Sequence, residues 1–279
     1  MNDILLTARP YRIDRYEAKF VIPVSLIEKI EGFIAPYCSL DKYSTRTVDH
    51  YYRVNNLYFD TDSYLFLHRR LSSVENRFNM RIRTYSDETA TPCFFEIKQK
   101  QVGLVRKHRA IIEDGEWPQQ LAHCEFSANG NGGSGKLNGN SNGFTLSNRD
   151  LFVKLALING ATPKVLTQYM RKAYVSDINE YARVTFDREL RYRPEEGYNL
   201  IPGRGTMTPL DNSTIFDQDC EVILELKCYS SLVPFWMIDL IRQFHLNRCS
   251  FSKYVTGISE VLQLNGYYRD FRLAPGVLE

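Results

Sequence analysis

No stretch of this 279-residue sequence approaches the ~18–20 consecutive apolar residues that span a bilayer. The most apolar helical candidate, Leu232 to Phe244, is interrupted by Asp239 and Arg242, and residues 1–16 lack the apolar core of a secretory leader. A cytoplasmic protein with no direct membrane insertion is expected. An excess of one charge sign is also lacking. The sequence has 35 Lys and Arg against 33 Asp and Glu, a net charge of only +2, so total charge does not point to nucleic acid, and any basic site must come from local segregation. The six cysteines contain no C-x-x-C pair, and neither they nor the five histidines have metal-ligand spacing. Reduced core thiols are therefore expected, not disulfides or zinc. Gly203-Arg204-Gly205 lacks the strand-to-helix context and the Lys-Ser/Thr ending of a phosphate-binding loop, and reads as a turn.

Aromatic residues are plentiful, and they favour strands. Eight strand candidates follow: Tyr16–Ile22, Tyr51–Phe59, Phe78–Tyr85, Cys93–Lys100, Leu104–Ile112, Val165–Asp177, Ala182–Leu190 and Cys220–Cys228. Short turns between several of them imply antiparallel pairing. Four helices are expected as well. Ser25-x-x-Glu28 has the form of a capping box ahead of Leu26, Ile27, Ile30, Phe33 and Ile34, with a stop at Pro36. Asn148 is expected to cap a helix ending at Gly160, Val233 to Phe244 has helical spacing, and a last helix begins near Ser250. Asp60-Thr61-Asp62 has metal-ligand chemistry but fits better as a cap for the segment Ser63–Arg70. Residues 127–143, almost entirely Gly, Asn and Ser, read as a flexible surface insert within a single domain spanning residues 1–279.

Side chains alternate between the two faces of a strand, and here the polar faces are consistently charged. Glu17 and Lys19 oppose Phe20 and Ile22; Arg81 and Arg83 oppose Met80 and Ile82; Glu96, Lys98 and Lys100 oppose Phe95 and Ile97. Lys107 and Arg109 share a face, as do Arg183, Thr185 and Asp187, and Glu225 and Lys227. Two architectures satisfy this alternation: an open sheet with its charged face in water, or a sheet closed on itself with the charges inside. A solvated face in a near-neutral protein would mix signs. A face this rich in Lys and Arg repels itself unless an anion occupies it. Arginine forks match phosphate oxygens, and the scattered carboxylates Glu17, Glu96 and Glu225 are hard oxygen donors suited to Mg²⁺ or Mn²⁺.

Arg15-Tyr16-Glu17-Ala18-Lys19-Phe20, Leu57-Tyr58-Phe59-Asp60-Thr61, Arg81-Ile82-Arg83, Glu96-Ile97-Lys98, Glu225-Leu226-Lys227 and Ser250-Phe251-Ser252-Lys253-Tyr254 occur in this order. Together they resemble the VTC domain, the catalytic domain of polyphosphate polymerases among the triphosphate tunnel metalloenzymes and their CYTH relatives. The resemblance implies an α+β fold: an eight-stranded antiparallel β-barrel tunnel with a basic interior, flanked by helices. It implies an ATP-dependent phosphotransferase that adds the γ-phosphate of ATP to polyphosphate with Mn²⁺ or Mg²⁺. The partners expected are thus ATP and polyphosphate, with no nucleic acid.

By motif position the resemblance implies that Lys19, Arg81, Arg83 and Lys98 act at the reacting phosphates. Lys107, Arg109, Arg171, Arg183 and Lys253 complete the phosphate-binding set, and Glu225 with Glu17 forms the metal site. The wider superfamily opens with Glu-x-Glu-x-Lys, whereas Arg15 stands at the first position here, so the metal site is expected to lean on Glu225. The same lining would serve a triphosphatase acting on tripolyphosphate or nucleotides, or a polyphosphate-binding module without catalysis.

Overall fold

Period-two alternation of apolar and charged residues directs each strand's apolar side to one layer and its charged side to the other. The computed structural model, describing residues 15–86, 88–101, 104–122, 147–203, 205–210, 222–229 and 232–262, shows where the two layers lie. The strands are β1 (Arg15–Ile22), β2 (Cys38–Leu40), β3 (Tyr52–Asp60), β4 (Arg77–Thr84), β5 (Cys93–Gln101), β6 (Leu104–Ile112), β7 (Thr162–Ser176), β8 (Ala182–Pro194), β9 (Thr208–Pro209) and β10 (Val222–Tyr229). The helices are α1 (Ile27–Ile34), α2 (Leu65–Leu71), α3 (Trp117–Ala122), α4 (Asn148–Asn159), α5 (Phe235–Gln243) and α6 (Lys253–Val261). All eight expected strands are present. Residues 127–143, Cys124, Cys220 and Arg204 lie outside the described residues.

The main ladder runs β1-β10-β8-β7-β3-β4-β5-β6, antiparallel throughout, with β2 added on β7 and β9 on β8. Strands from both sides of residues 127–143 therefore belong to one sheet. Right-handed twist accumulated over eight strands curls such a sheet, which brings the charged residues onto the concave face.

The convex face is apolar, and helices cover it. Ile30 and Ile34 of α1 and Trp236, Met237 and Leu240 of α5 pack on Phe20, Val184, Phe186 and Leu224. Leu151, Phe152 and Leu155 of α4, with Trp117 of α3, cover Phe59, Met80, Phe95 and Ile97.

Helix α6 is placed differently, on the concave side. Tyr254 and Ile258 pack with Tyr58 and Val165, and a Cβ added at Gly257 would lie 3.1 Å from Thr167 Cγ2 and 3.4 Å from Val165 Cγ2. A side chain at this position would press on β7, so glycine suits the close approach of the helix. Asp60 anchors the arrangement: its buried carboxylate accepts the backbone N–H groups of Thr61, Phe66 and Leu67 and the hydroxyl of Tyr254. Asp60 thus caps α2, as its spacing suggested. Asp62 points to solvent and pairs with Lys164 at 2.7 Å.

Two expected caps are corrected. Ser25 lies inside a 3₁₀ turn, Val24–Leu26, that leads into α1, and no side chain caps that helix. At α4 the cap is Ser147, which accepts from the N–H of Asp150, while Asn148 is the first helical residue and donates its amide N–H to the Arg109 carbonyl. The helix ends at Gly160 with φ +59°, the left-handed geometry that suits glycine. The final helix starts at Lys253, capped by Ser252.

Candidate functional site

Two buried carboxylate centres organise the concave face. The first is carried by β10, β8, β7, β1 and α6. Register places Lys19 opposite Glu225, Glu225 opposite Thr185, and Asp187 opposite Arg171. Arg171 forks onto Asp187 through two hydrogen bonds of 2.6 Å, and Lys253 reaches the same carboxylate at 2.6 Å. Glu225 takes Lys227 at 2.6 Å, with Lys19 and Lys253 each at 3.6 Å and Arg171 at 3.7 Å. Burial alone would raise the pKa of Glu225, but Lys227, Lys253, Lys19 and Arg171 outweigh it and hold the carboxyl well below the usual range. Asp187 is lowered for the same reason, with Arg171 and Lys253 overcoming its burial.

The second centre is Glu96 on β5. Arg81 donates to Oε2 from Nε at 2.8 Å and places a terminal nitrogen 2.6 Å away. Lys107 and Arg109, from β6, approach Oε1 at 2.6 and 3.4 Å, and Arg83 lies 3.9 Å off. Arg83 also donates to Asn56 Oδ1 at 2.7 Å and to the Tyr169 hydroxyl at 3.4 Å, and Arg109 stacks on Phe94 at 3.8 Å. Glu96 is likewise lowered: its burial is overcome by Arg81, Arg83, Lys107 and Arg109. The Lys107 pKa is lowered as well, which for an amine favours the neutral form. Its side chain is 40% water-accessible, but the surrounding walls desolvate it. Desolvation, opposed by Glu96 and reinforced by Arg81 and Arg83, brings its pKa down to about 7.

Closure comes from side chains and one extended segment. Lys98 of β5, the strand next to the far end of the ladder, pairs with Glu17 of the end strand β1 at 3.1 Å, linking the two sides of the curled sheet. Residues 248–251 run along the free edge of β1: Phe20 bridges to Arg248, the Cys249 N–H donates to the Lys19 carbonyl at 2.8 Å, and Lys19 Nζ donates to the Phe251 carbonyl at 2.8 Å.

Of the expected residues, Lys19, Arg171, Lys253 and Glu225 gather at the first centre, and Arg81, Arg83, Lys107 and Arg109 at the second. Lys98 and Glu17 span the seam. Arg183 sits apart, bonded to Asp41 with the Tyr52 hydroxyl at 3.5 Å. Sequence reasoning placed Asp187 on the charged face without a site role, and missed Asp41 and Tyr169 as members of the lining. Asp187 shares the alternation of Arg183 and Thr185, and Tyr169 that of Arg171, so both carried a signal. Asp41 lies just past a three-residue strand and carried none.

A divalent ion can be tested against these groups. Among the described residues no three His, Cys, Asp or Glu side chains cluster so as to hold a metal. Lys19 stands between Glu17 and Glu225, 3.6 Å from each. Two carboxylates sharing an ammonium suit an ion that brings phosphate oxygens with it, since Mg²⁺ is commonly held by one or two carboxylates plus substrate phosphates. The donor set fits a metal on that condition.

Among curated proteins nothing matches this chain. Solved structures that resemble it in outline include a candidate adenylate cyclase from Bacillus halodurans, 12% identical, covering 86% of this chain and 94% of that one with a TM-score of 0.47. A protein from Pyrococcus horikoshii OT3 is 10% identical over 90% of this chain and 99% of that one, TM-score 0.43. A candidate adenylate cyclase from Vibrio parahaemolyticus is 10% identical over 90% and 98%, TM-score 0.45. Among the described residues no helix is long and apolar enough to cross a membrane. A family model described as the VTC domain matches residues 14–262, a span that takes in every strand and helix of the tunnel, and the chain belongs to that family.

Proposed function

We propose that this chain is a polyphosphate polymerase, transferring the γ-phosphate of ATP to a polyphosphate chain inside the tunnel with Mn²⁺ or Mg²⁺. Family membership supports the coarser part, a tunnel that binds triphosphate or polyphosphate. The observation that carries the reading is the make-up of the concave face. Cations from six strands and one helix converge there and outnumber the carboxylates among them, a surplus suited to a chain of phosphates.

The reaction asks for positioning and charge stabilisation more than for covalent work by the protein. The terminal oxygen of the acceptor forms a bond to the γ-phosphorus while the bond to the β–γ bridging oxygen breaks, and ADP leaves. That terminal oxygen is largely anionic at neutral pH, so the lining need not supply a base. Lys19, Arg171 and Lys253 would hold one phosphate group beside Glu225, and Arg81, Arg83 and Lys107 the next ones along. Lys98 and Arg109 would take neighbouring phosphates, and Arg183, paired with Asp41, would contribute from outside the two centres. Glu225 and Glu17 would hold the metal, which supplies charge neutralisation at the phosphate oxygens. Arg81 and Arg171, each forked onto a buried carboxylate, are fixed before substrate arrives, which is what makes such stabilisation effective.

Glu225→Ala tests the assignment. Turnover of ATP should fall by at least about a hundredfold, on the order of losing one electrostatic stabiliser, while tripolyphosphate binding persists. Retained turnover with unchanged metal dependence would remove Glu225 from the site. In the wild-type protein, free phosphate without chains would favour a triphosphatase, and binding without turnover a binding module.

A further inference from the structure

The cations around Glu96 are held by an acid that no metal requirement explains. Its side chain is only 2% exposed, and the charged groups that set its ionisation are Arg81, Arg83, Lys107 and Arg109. Among the described residues these four cations pair with no other carboxylate, whereas Glu225 feels Glu17 and Asp187. A divalent cation would be repelled from Glu96, and a phosphate would be drawn to the groups it occupies.

The two oxygens of Glu96 are bound unequally. Oε2 is tied by the Arg81 fork, at 2.8 and 2.6 Å. Oε1 has Lys107 at 2.6 Å and Arg109 at 3.4 Å but accepts no well-directed hydrogen bond. Lys107 and Arg109 are 40% and 38% exposed, so both can turn toward a ligand in the tunnel. Arg81 cannot turn without abandoning a buried carboxylate.

We propose that Glu96 is a built-in counterion that competes with phosphate. When the tunnel is empty it neutralises Lys107 and Arg109 and fixes Arg81. When a phosphate chain enters, Lys107 and Arg109 transfer to phosphate oxygens, and Glu96 returns as their partner once that phosphate moves on. The carboxylate thereby caps the affinity, so that a growing chain can advance through the tunnel without becoming trapped. The inference rests on the reading of the tunnel as a phosphate-chain site and names Glu96 as the residue that sets its grip.

The test is titration calorimetry of the full chain with tripolyphosphate, comparing wild type, Glu96→Gln and Glu96→Asp over a salt series, together with steady-state kinetics on ATP. Removing one negative charge within a few ångströms of the ligand should tighten E96Q by about tenfold or more, with a steeper salt dependence. In kinetics KM and kcat should fall together as release slows. E96D keeps the charge and should stay near wild type. Because E96Q leaves cations unpaired in the empty protein, its melting temperature with and without tripolyphosphate is a second readout, and the ligand should stabilise it more than it stabilises wild type. Unchanged or weaker binding by E96Q, or tightening by E96D as well, would overturn the counterion role. A wild-type protein that does not bind tripolyphosphate at all would overturn the tunnel reading itself.

Discussion

Lys98 Nζ lies 3.1 Å from Glu17 Oε2, across the gap between β1, which ends the ladder, and β5, the strand before its other end. These side chains are 81 residues apart, and the backbone hydrogen bonds that would close the sheet there are replaced by this pair and by residues 248–251 along β1. The charged seam is therefore both wall and lining.

Lys98→Ala should separate these two roles. With the lysine side chain 49% exposed, the pair should contribute under about 1 kcal/mol to folding, so a urea melt should shift little. Tripolyphosphate affinity should fall about tenfold, as expected for one lost charge-assisted contact of ~1.5 kcal/mol. A large loss of stability with unchanged affinity would make the seam structural only.

Asp187→Asn should behave in the opposite way. It leaves Arg171 and Lys253 buried without their carboxylate, a change that costs ~3–5 kcal/mol in the empty protein. Tripolyphosphate can replace the missing charge, so the melting deficit should shrink markedly on adding it. No rescue by the ligand would place Arg171 and Lys253 outside the phosphate path.

How much of this was legible in the sequence depended on the length of the signal. Alternation over most of a strand, running from Arg77 to Arg83 in Arg77–Thr84 and from Leu224 to Cys228 in Val222–Tyr229, located the strands and gave the charged face its composition. Strands of two or three residues, β2 and β9, offer too few positions for a period to show. The caps failed because a capping residue is chosen by local backbone geometry: Ser147 and Asn148 are both good cap residues, and only the chain path selects the first. Alternation could not distinguish an open sheet from a curled one, because closure depends on Lys98, Glu17 and residues 248–251, which are distant in sequence. Asp187 shares the charged face of Arg183, but its role depends on a fork with Arg171 from the neighbouring strand, which no single-strand period reveals.

Lys107 predicts a pH dependence. Its pKa is pushed down to about 7 in the empty tunnel, and a bound phosphate must raise it. Binding then takes up a proton above pH 7, so affinity should decline as pH rises through 7 toward 9 and level off below pH 7, where the lysine is already charged. Lys107→Arg stays charged throughout and should flatten the profile. Trimetaphosphate, which has no weakly acidic terminal group, is the suitable probe, with calorimetry as the readout. Parallel profiles for wild type and K107R would show that Lys107 does not titrate in contact with phosphate.

The most direct measurement is incubation of the purified protein with ATP and Mn²⁺, with and without a short polyphosphate primer, followed by gel separation of phosphate chains and assays of ADP and free phosphate. The proposed polymerase should yield ADP together with chains that lengthen over time. ADP accompanied by stoichiometric free phosphate and no chains, or no ADP at all, would contradict it.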